Sequence, residues 1–346
     1  MRNISNISRR ALLAFAAASA FAASAITPAM AQEVLRLHHF NSPRSAAQVK
    51  FLEPWAKAVT EASNGTLEIQ IYPSMQLGGK QRDLFSQVRD GVVDLAYTSP
   101  GFTPGELPAL EVFELPFVAT TNAATAPAVQ EYYEKYMADS LEKGYRPLVF
   151  HTSISTALHT TKKVEKPEDL EGLRLRAPNR VVGDVLAAAG AGVVNVAVPD
   201  LTQSIDRGLI DGTPMAYAIA NILKIGDVTK YHTDLPLTTV VFMLMINEKV
   251  YEALPAEAKA SIDANSGLDW SKKLGKIWDE DEVPAKEAMV AAGGEVITPD
   301  AASMTAFETL AKPAIDDWIA NTTLPEGDTG TLYQDAVDLV KKYAAE

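Results

Sequence analysis

The chain contains no cysteine. Disulfides, thiolate nucleophiles and cysteine-bound metals are therefore excluded, and the fold must rest on a packed core. Long apolar runs are missing too: beyond the first few dozen residues nothing approaches the roughly 18–20 apolar residues of a membrane-spanning helix. Positive charge is scarce, with 31 Lys and Arg against 44 Asp and Glu and a formal net charge of −13. Nucleic acid and anionic membrane surfaces are poor partners for such a field. An anionic ligand has to be captured by a local positive group, against the field of the whole molecule.

The sequence also lacks the common catalytic constellations. There is no G-x-S-x-G elbow, no H-E-x-x-H, no phosphate loop and no EF-hand loop. Gly78-Gly79-Lys80 has neither the leading glycine nor the following Ser or Thr of a phosphate loop. His38 and His39 are adjacent on an expected strand, so they point to opposite faces and do not make a metal pair. His151 and His159 have no spaced acidic partner. No cofactor and no metal is expected.

What is present begins with an address. Arg2, Arg9 and Arg10 precede the apolar run Ala11 to Ile26, and Ala29-Met30-Ala31 is a cleavage site, so residues 1–31 read as an export signal with Gln32 as the mature start. Ser8-Arg9-Arg10-Ala11-Leu12-Leu13 also fits a twin-arginine signal, so the Sec and twin-arginine routes both remain open; either leads to the periplasm. That signal holds three of the 31 basic residues and no acid, which leaves 28 basic against 44 acidic residues in the exported chain. Removing 31 of 346 residues leaves 315, enough for two domains.

A repeated plan supports two similar α/β halves. Ser86 to Tyr97 and Gln203 to Thr213 each read as an amphipathic helix, a glycine (Gly91, Gly208), two apolar residues, an aspartate (Asp94, Asp211) and a strand-like run. The glycines fit the left-handed position that closes a helix, and the apolar pairs open buried parallel strands. Hydrophobic periodicity predicts strands at Val34–His39, Leu67–Tyr72, Leu148–Thr152, Val193–Val198 and Thr239–Asn247. It predicts helices at Ser45–Ser63, with Val49, Leu52, Trp55 and Val59 inward, and at Asp83–Arg89, Val181–Ala189, Met304–Ala320 and Leu332–Tyr343. A mostly helical run extends from Pro255 to about Ala292, with Pro284 as a kink or break. Lobe crossings are expected near residues 153 and 241.

The most informative residue is Arg176. In Gly172-Leu-Arg-Leu-Arg-Ala-Pro-Asn179, Leu173, Leu175 and Ala177 alternate with Arg174 and Arg176, and Pro178 stops the ladder. Arg176 therefore lies at the carboxyl end of a strand, where open α/β sheets bind ligands. A guanidinium there matches a carboxylate with two parallel hydrogen bonds. It reads equally as a surface arginine paired with Glu168 or Asp169. Phe40, Tyr97, Tyr217 and Phe242 fall at or near strand ends, each either a core aromatic or part of a shared cleft.

Taken in order, Tyr72-Pro-Ser-Met-Gln-Leu-Gly78, Val88-Arg-Asp-Gly-Val-Val-Asp-Leu-Ala96, Phe113-Glu-Leu-Pro-Phe117, Pro167 to Pro178, Ile210-Asp-Gly212 and Met245 to Pro255 resemble the solute-binding proteins of tripartite ATP-independent periplasmic (TRAP) transporters, the dicarboxylate-binding (DctP) type. The resemblance implies a type II-like periplasmic binding protein of two α/β lobes with a hinge and a long lobe-spanning helix. It implies no enzyme activity but capture of a small organic acid, handed to the small and large subunits of a membrane permease. Lobe I is expected at 32–153 plus 242–281 and lobe II at 154–241 plus 282–346, in a monomer. The resemblance also implies that Arg176 clamps a ligand carboxylate and that His39, Phe40, Ser99, Thr156, Met215, Tyr217 and Phe242 line the cleft. Some relatives carry a second arginine where this chain has Thr156, an asparagine at Met215 and a tryptophan at Tyr217. Those departures favour a monocarboxylate with an apolar or aromatic body. The competing reading is an exported hydrolase or lyase acting on a small organic acid, which turnover of the bound compound would distinguish.

Overall fold

The computed structural model describes residues 32–103, 105–138 and 144–346. The expected export signal lies outside them. The strands, in chain order, are β1 (Glu33–His39), β2 (Leu67–Tyr72), β3 (Leu95–Thr98), β4 (Tyr145–Thr160), β5 (Arg174–Arg176), β6 (Gly192–Val194), β7 (Gly212–Met215), β8 (Tyr231–Asn247) and β9 (Glu295–Ile297). They form one nine-stranded sheet in the order β2-β1-β3-β8-β4-β7-β5-β6, with β9 beside β8. Parallel triplets stand at both ends, and the two long strands β4 and β8 run antiparallel between them.

The register fixes where the two triplets point. Along β3 the partners on β8 descend from Ile246 at Leu95 to Met243 at Thr98. Along β7 the partners on β4 descend from Thr160 at Gly212 to Ala157 at Met215. Both triplets therefore run their carboxyl ends towards the middle of the β4–β8 ladder, from opposite sides. There the ladder is irregular: Ser155 pairs with Thr238 but Ala157 pairs with Asp234. Thr156 and the segment Leu235-Pro236-Leu237 drop out of register, consistent with a proline that cannot donate to the ladder.

The repeat read from the sequence becomes a repeated structure. Helices α1 (Glu53–Ala62, continuing a π-helical turn over Ala47–Leu52) and α2 (Leu84–Arg89) flank the first triplet. Asp94 receives the backbone N–H of Arg36 at 2.8 Å and its Nε at 3.1 Å. Asp211 receives the backbone N–H of Arg174 at 2.7 Å and its Nε at 3.1 Å. Gly91 and Gly208 adopt φ of +72° and +65°, the left-handed turn that lets each chain leave its helix and enter the strand. Each half buries an apolar layer on both faces of its part of the sheet. In the first, Leu35, Leu37, Phe51 and Trp55 lie on one face and Phe85, Val88, Phe113 and Tyr132 on the other. In the second, Leu158, Leu175, Val182 and Leu186 oppose Ala157, Ile205, Met215 and Tyr217.

The remaining helices are α3 (Asn122–Tyr136), α4 (Arg180–Ala188), α5 (Leu201–Asp206), α6 (Tyr217–Ile222), α7 (Glu248–Ala253), α8 (Ala256–Asp263), α9 (Leu268–Ala291), α10 (Ala301–Asn321) and α11 (Thr329–Ala344). With 24 residues α9 is about 36 Å long, and it is anchored to both halves. Ser271 Oγ donates to the carbonyls of Ala126 and Phe150 at 2.8 and 2.6 Å. Asp279 caps α3 through the N–H groups of Asn122 and Ala123, and Lys50 pairs with Asp281. From Glu282 onward the contacts change sides, to Tyr217 and Ala218 and, through Lys286, to Asp234. Pro284, which removes one helical hydrogen bond, sits at this handover. No described helix is long and apolar enough to cross a membrane.

Several elements differ from the sequence reading. Val49 is exposed, because the π-helical turn advances by a wider step than an α-helix and shifts the inward face to Phe51, Leu52 and Trp55. The strand expected over Val193–Val198 ends at Val194. Those at Leu148–Thr152 and Thr239–Asn247 are parts of the crossing strands β4 and β8. The run from Pro255 to Ala292 is two helices separated at Gly267, whose φ is +74°. The C-terminal helix α11 packs on α3, whereas the sequence groups it with the second half.

Candidate functional site

Arg176 ends β5, paired with Val194. Two residues beyond Ala177, Asn179 caps α4 by accepting the N–H of Val182 at 2.9 Å, and its amide reaches Thr238 Oγ1 at 3.1 Å. The segment carrying Arg176 is thereby tied to β8 at the crossing. The guanidinium is half-buried, and burial lowers its pKa from the ordinary value with no carboxylate to raise it. Among the described residues it has no ion pair; Asp169 instead accepts the backbone N–H groups of Glu165 and Lys166. Arginine stays protonated in proteins, so this is a partly desolvated cation without an anion.

Across the crossing, the carboxyl ends of β1 and β3 carry aromatic rings. Tyr97 and Phe242 stack at 5.5 Å and 13°, Phe40 stacks on Tyr97 at 6.4 Å and 11°, and His151 stacks on Tyr97 at 5.6 Å and 3°. Phe102 meets Phe40 and Phe242 edge-on at 5.6 and 6.0 Å, and Trp278 of α9 lies 4.5 Å from His151. Tyr97 and His151 are buried and hydrogen-bonded to each other at 2.9 Å, whereas Phe40, Phe102, Phe242 and Trp278 are only half-buried. Phe102 and Trp278 escape the sequence reading: one lies in a short turn after β3, the other far along α9.

The other candidates have more specific surroundings than a lining role. His39 is buried with Nε2 3.1 Å from Gln48 Oε1 and Nδ1 unpartnered, and burial pushes it down to about 4, so it is neutral at pH 7. Ser99 is buried and accepts the N–H of Gly101. Met215 is buried, its carbonyl 3.2 Å from His159 Nε2. Tyr217 is also buried, and its hydroxyl donates to Asp234 at 2.9 Å, with Lys286 on the same carboxylate. Thr156 donates to Glu282 at 2.7 Å, and Glu282 also receives the N–H groups of Tyr217 and Ala218. The fold thus gathers His39, Phe40, Ser99 and Phe242 at one set of strand ends and Arg176, Met215 and Tyr217 at the other. Thr156 lies at the irregularity between them.

Several other positive groups of these elements are occupied. Lys50 is on Asp281, Lys286 on Asp234, Arg174 on Asp211 and Arg36 on Asp94. Burial also lowers His151 to about 4 and His159 to about 3. Among the described residues no group of His, Asp and Glu is arranged to hold a metal ion.

Comparison with known proteins agrees with this architecture. A TRAP solute-binding protein from a marine metagenome, described as specific for aromatic acid ligands and solved with 3-hydroxybenzoate, superposes with a TM-score of 0.83 at 36% identity, over 90% of this chain and 99% of the other. One from Rhodoferax ferrireducens, solved with copurified benzoate, gives 0.81 at 30% identity over 90% and 98%. The C4-dicarboxylate-binding periplasmic protein DctP of Rhodobacter capsulatus is 24% identical over 90% of this chain and 94% of its own. The family's members are periplasmic solute-binding proteins that take small organic acids and work with membrane permease components, not enzymes, which sets aside the hydrolase or lyase alternative. The family model for bacterial extracellular solute-binding protein, family 7 (DctP) matches residues 38–321, and the chain belongs to that family of TRAP transporter solute-binding proteins.

Proposed function

We propose that this solute-binding protein captures a monocarboxylate with an aromatic body, held by its carboxylate on Arg176 and by its ring on the surface of Phe40, Phe102 and Phe242. The observation that carries the reading is the half-buried, unpaired guanidinium of Arg176 at strand ends that face a half-buried aromatic group. The half-buried Arg176 guanidinium, without an ion pair among the described residues, matches one carboxylate. A second carboxylate would be buried without a partner, which is costly. Two relatives at 36% and 30% identity that hold 3-hydroxybenzoate and benzoate support the same ligand class.

In this reading the two lobes, 32–153 plus 242–281 and 154–241 plus 282–346, close on the ligand about the β4–β8 crossing and α9, with the C-terminal helix strapped onto lobe I. Met215, Tyr217, Thr156, Ser99 and His39 shape the cleft through the supports described above. The protein acts as a monomer exported by the Sec or twin-arginine route, and its closed form delivers the acid to the small and large permease subunits.

A thermal-shift series tests the ligand class. A compound that binds only the folded state at 100 times its dissociation constant adds about 2.7 kcal/mol of stability. Benzoate and 3-hydroxybenzoate should raise the melting temperature at concentrations where succinate and malate do not. The reverse order would overturn the reading.

A further inference from the structure

Glu282 is a half-buried carboxylate on α9, hydrogen-bonded to Thr156 at the β4–β8 irregularity, and the proposed ligand does not use it. Three donors converge on it: Thr156 Oγ1 at 2.7 Å, the N–H of Tyr217 at 2.7 Å and the N–H of Ala218 at 3.0 Å. Burial raises the pKa of this carboxyl from its ordinary value, and the three convergent donors, with no acceptor among them, oppose that shift by favouring the charged form. Those donors come from the irregular point of β4 and from the first two residues of α6. All three are spent on Glu282. Among the described residues no cation pairs with it: Asp279 adds like charge, Lys50 serves Asp281, and Lys286 serves Asp234.

We infer that Glu282 is a specificity-determining residue that rejects ligands with a second carboxylate. A dicarboxylate anchored on Arg176 with its second group towards Thr156 would meet the Glu282 carboxylate, with the Thr156 hydroxyl and the first N–H groups of α6 already engaged. Like charges brought together at a desolvated site oppose binding enough to separate two ligands by about tenfold or more. A monocarboxylate with an apolar ring meets no such opposition. Selectivity then arises from a repulsive element as well as from the attractive clamp. This inference rests on the monocarboxylate reading of the site.

The test is the ratio of dissociation constants for benzene-1,3-dicarboxylate and benzoate, measured by calorimetry at pH 7 on the full exported chain. In the unsubstituted protein the ratio should favour benzoate. Glu282→Gln should move it towards the dicarboxylate by about tenfold or more, while Glu282→Asp, which keeps the charge, should hold the original preference. A purely structural role would weaken both ligands together and leave the ratio unmoved. Thr156→Arg sets a cation beside the carboxylate and should shift the ratio in the same direction as Glu282→Gln, providing an independent variant if the latter fails to fold. An unchanged ratio in the folded Glu282→Gln or Thr156→Arg protein overturns the inference alone. A dicarboxylate preference in the unsubstituted protein overturns the monocarboxylate reading with it.

Discussion

Arg174 and Arg176 leave the same side of β5 two residues apart, and only Arg174 is neutralised. Asp211 takes Arg174 by Nε and Nη2 at 3.1 Å each, while Arg176 keeps a half-buried guanidinium without an anion. The difference follows from position. Arg174 faces the aspartate that opens the neighbouring strand, and Arg176 has passed beyond it to the strand end. The matching site in the first lobe holds His38 two residues after Arg36. There Nδ1 lies 2.8 Å from Gln87 Oε1, and Nε2 accepts the N–H of Leu77 at 3.3 Å. One half of the repeat satisfies that position internally; the other leaves its guanidinium without an anion among the described residues.

The repeated aspartates should be structural. Asp94→Ala orphans the backbone N–H of Arg36 along with its guanidinium, and leaving such a donor unmet costs about 1–3 kcal/mol. Asp211→Ala should destabilise in the same direction, and the double variant should show the sum, since the sites lie in different lobes and share no partner. Chemical denaturation checks this; unchanged midpoints would show that the pairs are only surface decoration.

Gly212 lies where β7 approaches β4 too closely for a side chain. A Cβ there would stand 2.2 Å from the carbonyl oxygen of His159 and 3.0 Å from Thr160 Cα, both fixed in the ladder. Gly212→Ala should cost about 1–3 kcal/mol or more through over-packing. It should also disturb the adjoining segment at Met215, proposed to line the cleft. Native-like stability and ligand affinity in this variant would contradict the packing described.

Buried neutral histidines should make the protein acid-sensitive. Burial lowers His39 and His151 to about 4 and His159 to about 3, against an ordinary value near 6.5 in the unfolded chain. Below about pH 6.5 the unfolded state binds the extra protons, so their contribution to stability falls as the pH drops towards 4. Urea midpoints should decline over that window, and His151→Gln should flatten the decline. A profile unaltered by the substitution would assign the acid sensitivity elsewhere.

Much of this architecture is legible in the sequence. The Gly-x-x-Asp repeat marks both helix-to-strand joints, and the alternation around Leu173, Leu175 and Ala177 places Arg176 at a strand end. Helix α3 is not legible: Ala124, Ala126, Ala128, Val129, Tyr132 and Tyr133 bury it on nearly every side, so no one-sided apolar stripe appears. The crossing strands are only partly visible, because Pro236 and polar residues such as Thr152, Ser153 and Ser155 interrupt the apolar runs of β8 and β4. Residue type at Tyr217 suggests a ring open to a ligand. Its buried hydroxyl network with Asp234 and Lys286 depends on partners from three elements, which no local pattern encodes.

Closure about the crossing should be visible in solution. Saturating benzoate should reduce the radius of gyration measured by X-ray scattering, because closure about β4, β8 and α9 brings the two lobes together. Superimposable curves with and without ligand would argue against a hinge.

The central assignment is most directly tested by calorimetry of benzoate binding to Arg176→Ala and Arg176→Lys. Truncating one partner of a desolvated, hydrogen-bonded charge pair costs about 2–5 kcal/mol, so alanine should weaken binding by tens-fold or more. Lysine restores the charge but not the planar fork and should recover only part of the loss. Near-native affinity in Arg176→Ala would contradict the clamp.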